Sequence, residues 1–210
     1  RCTVDHATLG RIYDGYARIY DRLFGRVFDE PRRRAVEQLA ARPGERVLEV
    51  GVGTGIALPM YPRDAEIVGI DYSAGMLREA QACLERFPRP ATWLLRMDAM
   101  RMAFPDNRFD ALMAAYVVTA VPDCHRVVAE MARVCRPGGR LLLVNHLQHR
   151  NRLVAFGQRL LCPLTRRLGW RTDLSLEDVL RGSPFVPVRV QTVPPLGLWY
   201  LVECRNDKPA

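Results

Sequence analysis

One short segment constrains the fold of this 210-residue chain more than any other. Leu48, Glu49 and Val50 end an apolar run, and glycines follow at positions 51, 53 and 55. Glycine adopts a positive φ easily and lets a ligand approach the backbone closely, where a Cβ would clash. The segment therefore predicts a buried strand, a tight turn and a helix that starts from the turn. In open α/β sheets, ligands bind at such strand ends.

The spacing of the glycines indicates which ligand this turn accepts. A dinucleotide fingerprint needs the spacing G-x-G-x-x-G, but Ile56 or Leu58 stands where its third glycine would be. The carboxylate of Glu49 would also repel a pyrophosphate. S-adenosylmethionine carries a sulfonium, an amino group and two ribose hydroxyls but no phosphate, so it fits the turn better. The alternative is a purely structural glycine turn.

Later apolar runs also end in residues that suit this ligand. Asp71 ends the run from Glu66 and is placed to bind ribose hydroxyls, although it is alternatively a second helix cap. Ser73 is predicted to cap a helix through Phe87. The run Thr92–Met97 leads to Asp98, which is predicted to bind the adenine amine. The cofactor contacts predicted in these runs are Glu49, Gly51, Gly53, Asp71, Tyr72, Met76, Asp98, Ala99 and Ala115.

The order of the runs predicts an α/β fold. A fourth strand is expected at Phe109–Tyr116, a helix from about Asp123 to Arg136, and a turn at Pro137–Gly139 into a fifth strand at Leu141–His146. Strands that alternate with helices favour a mostly parallel sheet covered on both faces. The runs lack polar–apolar alternation, as expected for strands buried on both sides.

These motifs, in this order, resemble the class I methyltransferases that use S-adenosylmethionine. The resemblance rests on E-V-G-V-G-T-G, the acid-ended second strand, M-D-A, F-P-D-N-R-F-D and R-P-G-G, between roughly Pro43 and His146. It implies a Rossmann-like, seven-stranded sheet that ends in an antiparallel hairpin, Val186–Val193 with Leu198–Cys204, connected through residues 194–197. We expect N-terminal helices at 1–42 and the methyltransferase domain at 43–210.

Two basic and apolar segments lie outside the motifs. Residues 9–28 place apolar side chains at helical spacing beside arginines, and residues 149–171 combine arginines and leucines without any acid. A net charge of +8 indicates an anionic partner. Basic amphipathic helices are typical of membrane surfaces, although the first segment is alternatively an ordinary helix packed on the sheet. Few aromatic side chains accompany the arginines, so no nucleic-acid partner is expected.

Apolar run lengths, the chain start and the cysteines indicate where in the cell the protein acts. No run reaches the roughly eighteen to twenty apolar residues of a membrane span, and no signal peptide is visible, although a start at Arg1 suggests trimming. The six cysteines contain no C-x-x-C, so neither a disulfide framework nor a metal site is expected. We expect a cytoplasmic monomer that associates peripherally with the inner face of the cell membrane.

Further motifs extend the resemblance to nearly the whole chain. Two Tyr-Asp pairs lie in Tyr13–Asp21, and Ala115–Pro122, Val144–His146 and Leu168–Arg171 follow in order. Together they are similar to the bacterial phosphatidylethanolamine N-methyltransferases. This implies methylation of phosphatidylethanolamine, through mono- and dimethyl forms, toward phosphatidylcholine, with S-adenosylhomocysteine as the other product. Tyr-Asp openings also occur in quinone-biosynthetic methyltransferases. A quinone-precursor or small-molecule methyltransferase and a non-catalytic cofactor-binding protein are the alternatives.

The resemblance and the chemistry of amine methylation assign provisional roles. An amine must be neutral to attack, so His146 is predicted to be a base or part of a water relay, with Asn145 orienting the substrate. His146 is alternatively a packing residue. The predicted catalytic residues are His146, Asn145 and Tyr16, and Tyr20 is expected to cover the cofactor. The predicted substrate contacts, by cation–π stacking or by phosphate binding, are Tyr13, Tyr116, Arg167, Trp170, Arg171 and Trp199.

Overall fold

The helices and strands of the protein follow the apolar runs of its sequence. The computed structural model describes residues 29–148, 174–193 and 199–209. Its strands are β1 (Arg46–Val50), β2 (Glu66–Asp71), β3 (Thr92–Arg96), β4 (Phe109–Ala115), β5 (Cys135–His146), β6 (Phe185–Val193) and β7 (Trp199–Asn206). Its helices are α1 (residues 29–39), α2 (Ala74–Arg86), α3 (Cys124–Val134) and α4 (Leu176–Leu180).

The strands form one seven-stranded sheet in the order β3-β2-β1-β4-β5-β7-β6. β1, β2, β3, β4 and β5 pair in parallel, whereas β7 runs antiparallel between β5 and β6. The order reverses between β1 and β4, which is where open α/β sheets bind ligands. The predicted Rossmann-like sheet with its antiparallel C-terminal hairpin is confirmed.

Alternation along the strands divides the core into two layers. Leu141 and Leu143 of β5 pack in the layer that contains the apolar residues of α3 and α4, which we call the α3 face. Leu142 and Val144 pack in the layer that contains Ala35, Val36 and Leu39 of α1, which we call the α1 face. Because both layers are apolar, the central strands are buried on both sides, as the unbroken hydrophobic runs predicted.

Local capping follows the sequence closely. The hydroxyl of Ser73 accepts a hydrogen bond from the backbone N–H of Met76 at 3.1 Å, and α2 ends one residue before Phe87. Asp123 caps α3 in the same way, accepting from Arg126 N at 3.1 Å. Such caps satisfy backbone donors that the first helical turn leaves unpaired. The cap predicted at Ser73 is therefore confirmed.

Two local predictions are wrong. The glycine turn is followed by a short 3₁₀ turn, Leu58–Met60, and not by an α-helix. Pro59 lies inside this turn, and proline cannot donate the hydrogen bond that a continuing helix requires. Pro137–Gly139 lies within β5 instead of preceding it, because residues 135 and 140 both pair with β4 and the register shifts between them.

Candidate active site

A cleft crosses the carboxyl ends of β3, β2, β1 and β4. Most of the predicted cofactor contacts line it, so residues far apart in sequence are brought together at one edge of the sheet. The predicted residues in its wall are Gly51, Gly53, Asp71, Tyr72, Met76, Asp98, Ala99, Ala115 and Tyr116. Residues that the sequence did not predict include Arg32, Thr54, Ile56 and Val117.

Asp71 connects the two sides of the glycine turn. Its Oδ2 accepts the backbone N–H of Gly53 at 2.9 Å, and its Oδ1 accepts the backbone N–H of Ser73 at 2.8 Å. These two bonds fix the orientation of the carboxylate group in the wall of the cleft. Two ribose hydroxyls need acceptors of this kind.

The glycines of the turn serve different purposes. Gly51 has φ of +70°, and a Cβ there would lie 2.4 Å from Cγ2 of Val117. Gly53 has φ of +57°, yet a Cβ there would meet nothing within 4 Å. Gly51 is therefore required by packing and by backbone conformation together. Gly53 borders open space in the cleft, which a ligand can approach closely.

The loop after β3 contains Asp98, the predicted adenine contact, and forms one wall of the cleft. Oδ1 of Asp98 accepts the backbone N–H of Met100 at 2.8 Å, which holds the loop in a turn. Farther along the loop, Arg133 of α3 donates to the carbonyl oxygens of Met102 and Phe104 at 2.8 and 2.7 Å. These bonds attach the loop to the body of the protein, so the wall that contains Asp98 is fixed in position.

Glu49 lies beneath the turn and does not line the cleft. Its side chain is 2% exposed, and Oε2 has no hydrogen-bond partner in the described part of the chain. Burial raises the pKa of Glu49 to about 7, and the nearby Arg32 and Tyr61 limit the rise. A buried carboxyl group without a full set of partners favours its neutral form unless a cation approaches. The ammonium group of S-adenosylmethionine is such a cation.

An aromatic cluster closes the β4 end of the cleft. The ring of Tyr116 lies 6.5 Å from that of His146, which lies 4.5 Å from that of Trp199, measured between centroids. Tyr116 has a left-handed backbone with φ of 64°, and its N–H donates to Val144 O at 2.6 Å. Non-glycine residues adopt this conformation at a cost, and such residues are frequent at functional sites.

Burial also changes the chemistry of His146. It lowers the pKa of the imidazole to about 4, so the ring is neutral near pH 7. A neutral imidazole accepts hydrogen bonds, but a group with so low a pKa holds a transferred proton poorly. Trp199 is 6% exposed and packs behind His146, and neither of these two residues lines the cleft.

Asn145 points to the opposite face of the sheet from His146. Neighbouring strand residues alternate between faces, and Asn145 shares the α3 side of β5 with Leu143. Its Oδ1 accepts the hydroxyl of Thr119 at 3.0 Å, and both side chains are buried. The structure therefore does not bring Asn145 and His146 together, and the substrate role of Asn145 stays a prediction.

Several predicted residues lie outside the described ranges. They are Tyr13, Tyr16, Tyr20, Arg167, Trp170 and Arg171, together with the basic segments 9–28 and 149–171. Their roles stay predictions, as does the division of the chain at residue 42.

Arg32 is the main functional candidate that sequence reasoning missed. It lies in the basic run Arg32–Arg34, as one charge among three. The spacing of Arg32 with Ala35, Val36 and Leu39, however, is that of one helical face, and those three side chains are buried. That periodicity was the available signal that Arg32 faces the body of the protein.

Comparison with known proteins decides the family. A family described as a methyltransferase domain matches residues 48–143. The chain is 41% identical over 192 residues to the phosphatidylethanolamine N-methyltransferase of Cereibacter sphaeroides, covering 91% of this chain and 94% of that protein. The chain belongs to the S-adenosylmethionine-dependent methyltransferases. The predicted resemblance to bacterial phosphatidylethanolamine N-methyltransferases is confirmed.

Other relatives of this methyltransferase agree on the enzyme class. It is 31% identical to the demethylmenaquinone methyltransferase of Thermobifida fusca, over 84% of this chain and 73% of that protein. A solved S-adenosylmethionine-dependent methyltransferase from Thermotoga maritima has the same fold, with a TM-score of 0.71 and 21% identity over 93% of this chain and 99% of that one. The non-catalytic alternative is thereby set aside.

The cleft of this methyltransferase fits the cofactor of its family. Asp71 presents a carboxylate in the wall of the cleft, and Gly53 leaves the backbone accessible, while the carboxyl group of Glu49 is buried beneath the turn. No described residue places a phosphate-binding cation beside the glycine turn apart from Arg32. The residues present therefore match S-adenosylmethionine better than a dinucleotide.

Proposed function

We propose that this methyltransferase methylates the amine of phosphatidylethanolamine, and then of its mono- and dimethyl derivatives, to form phosphatidylcholine. The observation that carries the proposal is the relative from Cereibacter sphaeroides, because the 41% identity extends over 91% of the chain. The similarity thus reaches well beyond residues 48–143, which all members of the domain family share. Segments outside the cofactor core are where acceptor specificity is expected to reside.

The β4 end of the cleft suits an amine acceptor. S-adenosylmethionine supplies an electrophilic methyl group when it is bound. Tyr116 lines this end, and His146 and Trp199 lie behind it. Aromatic faces attract an ammonium group, and more so as methylation makes the charge permanent. We infer that Tyr116 contacts the acceptor nitrogen, with His146 and Trp199 setting the position of its ring.

The low pKa of His146 refines its proposed role. A primary ammonium has a pKa near 10 in water, so full proton transfer to a group with a pKa of about 4 is uphill by as much as ~8 kcal/mol. Accepting a hydrogen bond from an already neutral amine carries no such cost. We therefore propose that His146 orients the lone pair of the amine, directly or through water, and keeps a competing positive charge out of the site.

We further propose that the protein acts as a monomer at an anionic membrane surface. The basic segments 9–28 and 149–171 are the proposed contacts, with Arg167 and Arg171 binding the lipid phosphate and Tyr13, Tyr16 and Trp170 near the headgroup. Within the described ranges, no helix has the length and hydrophobicity to cross a bilayer. Attraction of arginines to anionic lipid contributes about 1 kcal/mol for each side chain near the surface.

One incubation tests the acceptor directly. The purified protein is mixed with methyl-labelled S-adenosylmethionine and vesicles that contain phosphatidylethanolamine, and the labelled lipids are separated. We expect label first in the monomethyl lipid and then in the dimethyl and trimethyl products. Absence of labelled lipid at saturating cofactor would exclude the proposed acceptor.

A quinone precursor is the second candidate. The demethylmenaquinone methyltransferases favour it, since one of them covers 84% of this chain at 31% identity. The same incubation is therefore run with vesicles that contain demethylmenaquinone instead of phosphatidylethanolamine. Label in the quinone alone would replace the first candidate with the second.

Deletion of residues 1–28 tests the membrane contact. If this segment both docks on anionic lipid and covers the cofactor through Tyr20, the truncated protein should lose vesicle binding and also bind S-adenosylhomocysteine more weakly. Sedimentation with anionic vesicles and calorimetry measure the two effects separately. A truncated protein that retains both properties would disprove the double role.

A further inference from the structure

The loop between β4 and α3 forms the wall at the β4 end of the cleft. We call residues 116–122 the β4 loop, and its cleft-lining residues are Tyr116, Val117, Ala120, Val121 and Pro122. Tyr116 is the first residue of the loop and has a left-handed backbone, with φ of 64°. Such a conformation persists only where the surrounding structure holds it. The contacts that hold the β4 loop therefore determine where the ring of Tyr116 lies.

Three consecutive residues of β5 make these contacts. The carbonyl oxygen of Val144 accepts the backbone N–H of Tyr116 at 2.6 Å. Oδ1 of Asn145 accepts the hydroxyl of Thr119 at 3.0 Å. The ring of His146 lies 6.5 Å from that of Tyr116, measured between centroids. Because neighbouring strand residues point to opposite faces, Asn145 holds the loop from the α3 side, and His146 lies beside the ring on the α1 side.

The pair of Thr119 and Asn145 is polar in an otherwise apolar layer. The two side chains are 4% and 1% exposed, and their neighbours in sequence, Val118 and Leu143, belong to the core of the α3 face. Nδ2 of Asn145 is buried and has no acceptor in the described part of the chain. A buried donor without an acceptor lowers stability, and a leucine at this position would avoid that loss. What the amide contributes in return is the bond to Thr119.

A tight turn connects Thr119 to the wall of the cleft. The backbone N–H of Ala120 donates to the carbonyl oxygen of Val117 at 2.8 Å, which closes a turn over residues 117–120. Thr119 lies inside this turn, whereas Val117 and Ala120 at its two ends line the cleft. Tyr116 directly precedes the turn. A displacement of Thr119 would therefore move the cleft wall and the ring of Tyr116 with it.

We propose that Thr119 and Asn145 are positioning residues, whose hydrogen bond holds the β4 loop so that the ring of Tyr116 faces the acceptor nitrogen. This inference rests on the proposed methylation of an acceptor at the β4 end of the cleft. It assigns Asn145 a role through the loop instead of through contact with the substrate. Methyl transfer requires close alignment of the reacting groups, and a misplacement of ~1 Å can lower a rate by about 100-fold.

Removal of a single hydroxyl tests the proposal. Thr119→Val removes the donor and keeps the shape of the side chain. We expect its kcat for transfer of label to phosphatidylethanolamine vesicles to fall roughly 10- to 100-fold, with little change in the Kd of S-adenosylhomocysteine measured by calorimetry. Thr119→Ser keeps the hydroxyl and should retain most of kcat. Thr92→Val in β3 is the matched control, because the buried hydroxyl of Thr92 has no partner in the described part of the chain; it should change neither constant.

Two combined variants separate positioning from stability. Thr119→Val together with Asn145→Leu replaces both partners by apolar groups and removes the unpaired amide, so stability should recover while kcat stays low. In a Tyr116→Ala background, Thr119→Val should lower kcat little further, because the hydroxyl acts through the ring. A kcat that recovers together with the melting temperature, or that falls equally with and without Tyr116, would overturn the proposal.

Hydrogen exchange gives a readout that does not depend on the acceptor. The backbone N–H of Tyr116 should exchange faster in Thr119→Val than in Thr92→Val, and Thr119→Ser should restore its protection. Equal exchange in the two valine variants would overturn the proposal whatever the acceptor is. If the unmodified protein methylates neither phosphatidylethanolamine nor demethylmenaquinone, the proposed function fails, while hydrogen exchange still decides whether this bond holds the loop.

Discussion

Gly53 donates its backbone N–H to Oδ2 of Asp71 across 2.9 Å, so the turn after β1 and the acid that ends β2 are one structural unit. Asp71 also accepts from Ser73 N at 2.8 Å, at the cap of α2. A single carboxylate therefore aligns the glycine turn, the strand end and the following helix. Any ligand that binds across these three elements depends on it.

Substitution of Asp71 by Asn should disrupt this unit severely. Asparagine presents one acceptor and one donor, so an NH₂ group must face the N–H of either Gly53 or Ser73. We expect S-adenosylhomocysteine affinity to fall by about 10-fold or more, as when a buried polar partner is lost. Calorimetry measures this, with Asp64→Asn in the exposed turn before β2 as the control. Equal affinities of the two variants would contradict the role of Asp71.

The glycines at 51 and 53 should respond differently to alanine. Both have positive φ, so each alanine costs about 1–2 kcal/mol in backbone conformation. Gly51→Ala adds the clash with Val117, and we expect a lower melting temperature that Val117→Ala partly restores. Gly53→Ala adds no protein clash and should reduce S-adenosylhomocysteine binding more than stability. Similar losses of stability in the two variants would show that Gly53 does not border the ligand.

Glu49 should make stability fall as the pH rises. Its folded-state pKa is about 7, above the ordinary value of 4.5. Between these values the folded state binds more protons than the unfolded state, so the free energy of unfolding decreases with pH. Glu49→Gln removes this dependence. As the pH rises from 4.5 to 7, its free energy of unfolding should therefore increase by up to ~3 kcal/mol relative to that of the unmodified protein. Urea unfolding at pH 5 and pH 8 measures the gain; a constant difference would contradict it.

His146 should make the stability of the protein rise with pH, in contrast to Glu49. Its pKa falls from 6.5 to about 4 on folding, so the unfolded state binds more protons between these values and stability rises with pH. His146→Gln should therefore lose less stability on acidification from pH 6.5 to pH 4 than the unmodified protein, by up to ~3 kcal/mol. Urea titrations in the Glu49→Gln background separate this effect from that of Glu49. Identical acid sensitivity with and without His146 would refute it.

Arg133→Ala should loosen the wall that carries Asp98. Arg133 donates to two loop carbonyls and pairs with Asp106 and Glu130. Loss of these bonds should lower the free energy of unfolding by about 1–3 kcal/mol and weaken S-adenosylhomocysteine binding through the displaced loop. Arg126→Ala, an exposed arginine of the same helix, is the control. Unfolding curves and calorimetry distinguish the two variants, and unchanged binding in Arg133→Ala would show that the loop holds itself in place.

Sequence patterns predicted the strands well, and most of the predicted cofactor contacts line one cleft. β2 matches the predicted run Glu66–Asp71 because a buried parallel strand needs an unbroken apolar run, and Asp71 follows it directly. Gly51, Gly53 and Asp98 were likewise found from motifs at strand ends. These features are local, so the sequence contains the whole signal.

The remaining features depend on contacts between distant residues. Pro137–Gly139 was expected to be a turn, but pairing with β4 includes it in β5. Arg32 joins the cleft only because α1 packs on the sheet. The roles proposed together for Asn145 and His146 overlooked the alternation of a strand, which separates neighbouring side chains. Tertiary packing decides each of these cases.

The same alternation separates the positions that surround the aromatic cluster from those that pack under α3. Near the cleft, changes on the α1 side of the sheet are the ones that reach the aromatic cluster, and they are confined to a few positions: Met113, Ala115, Val144 and His146. Substitutions at Leu112, Ala114, Leu143 and Asn145 instead alter the packing under α3. A library restricted to the first group would therefore vary the α1 face while it leaves the packing under α3 unchanged.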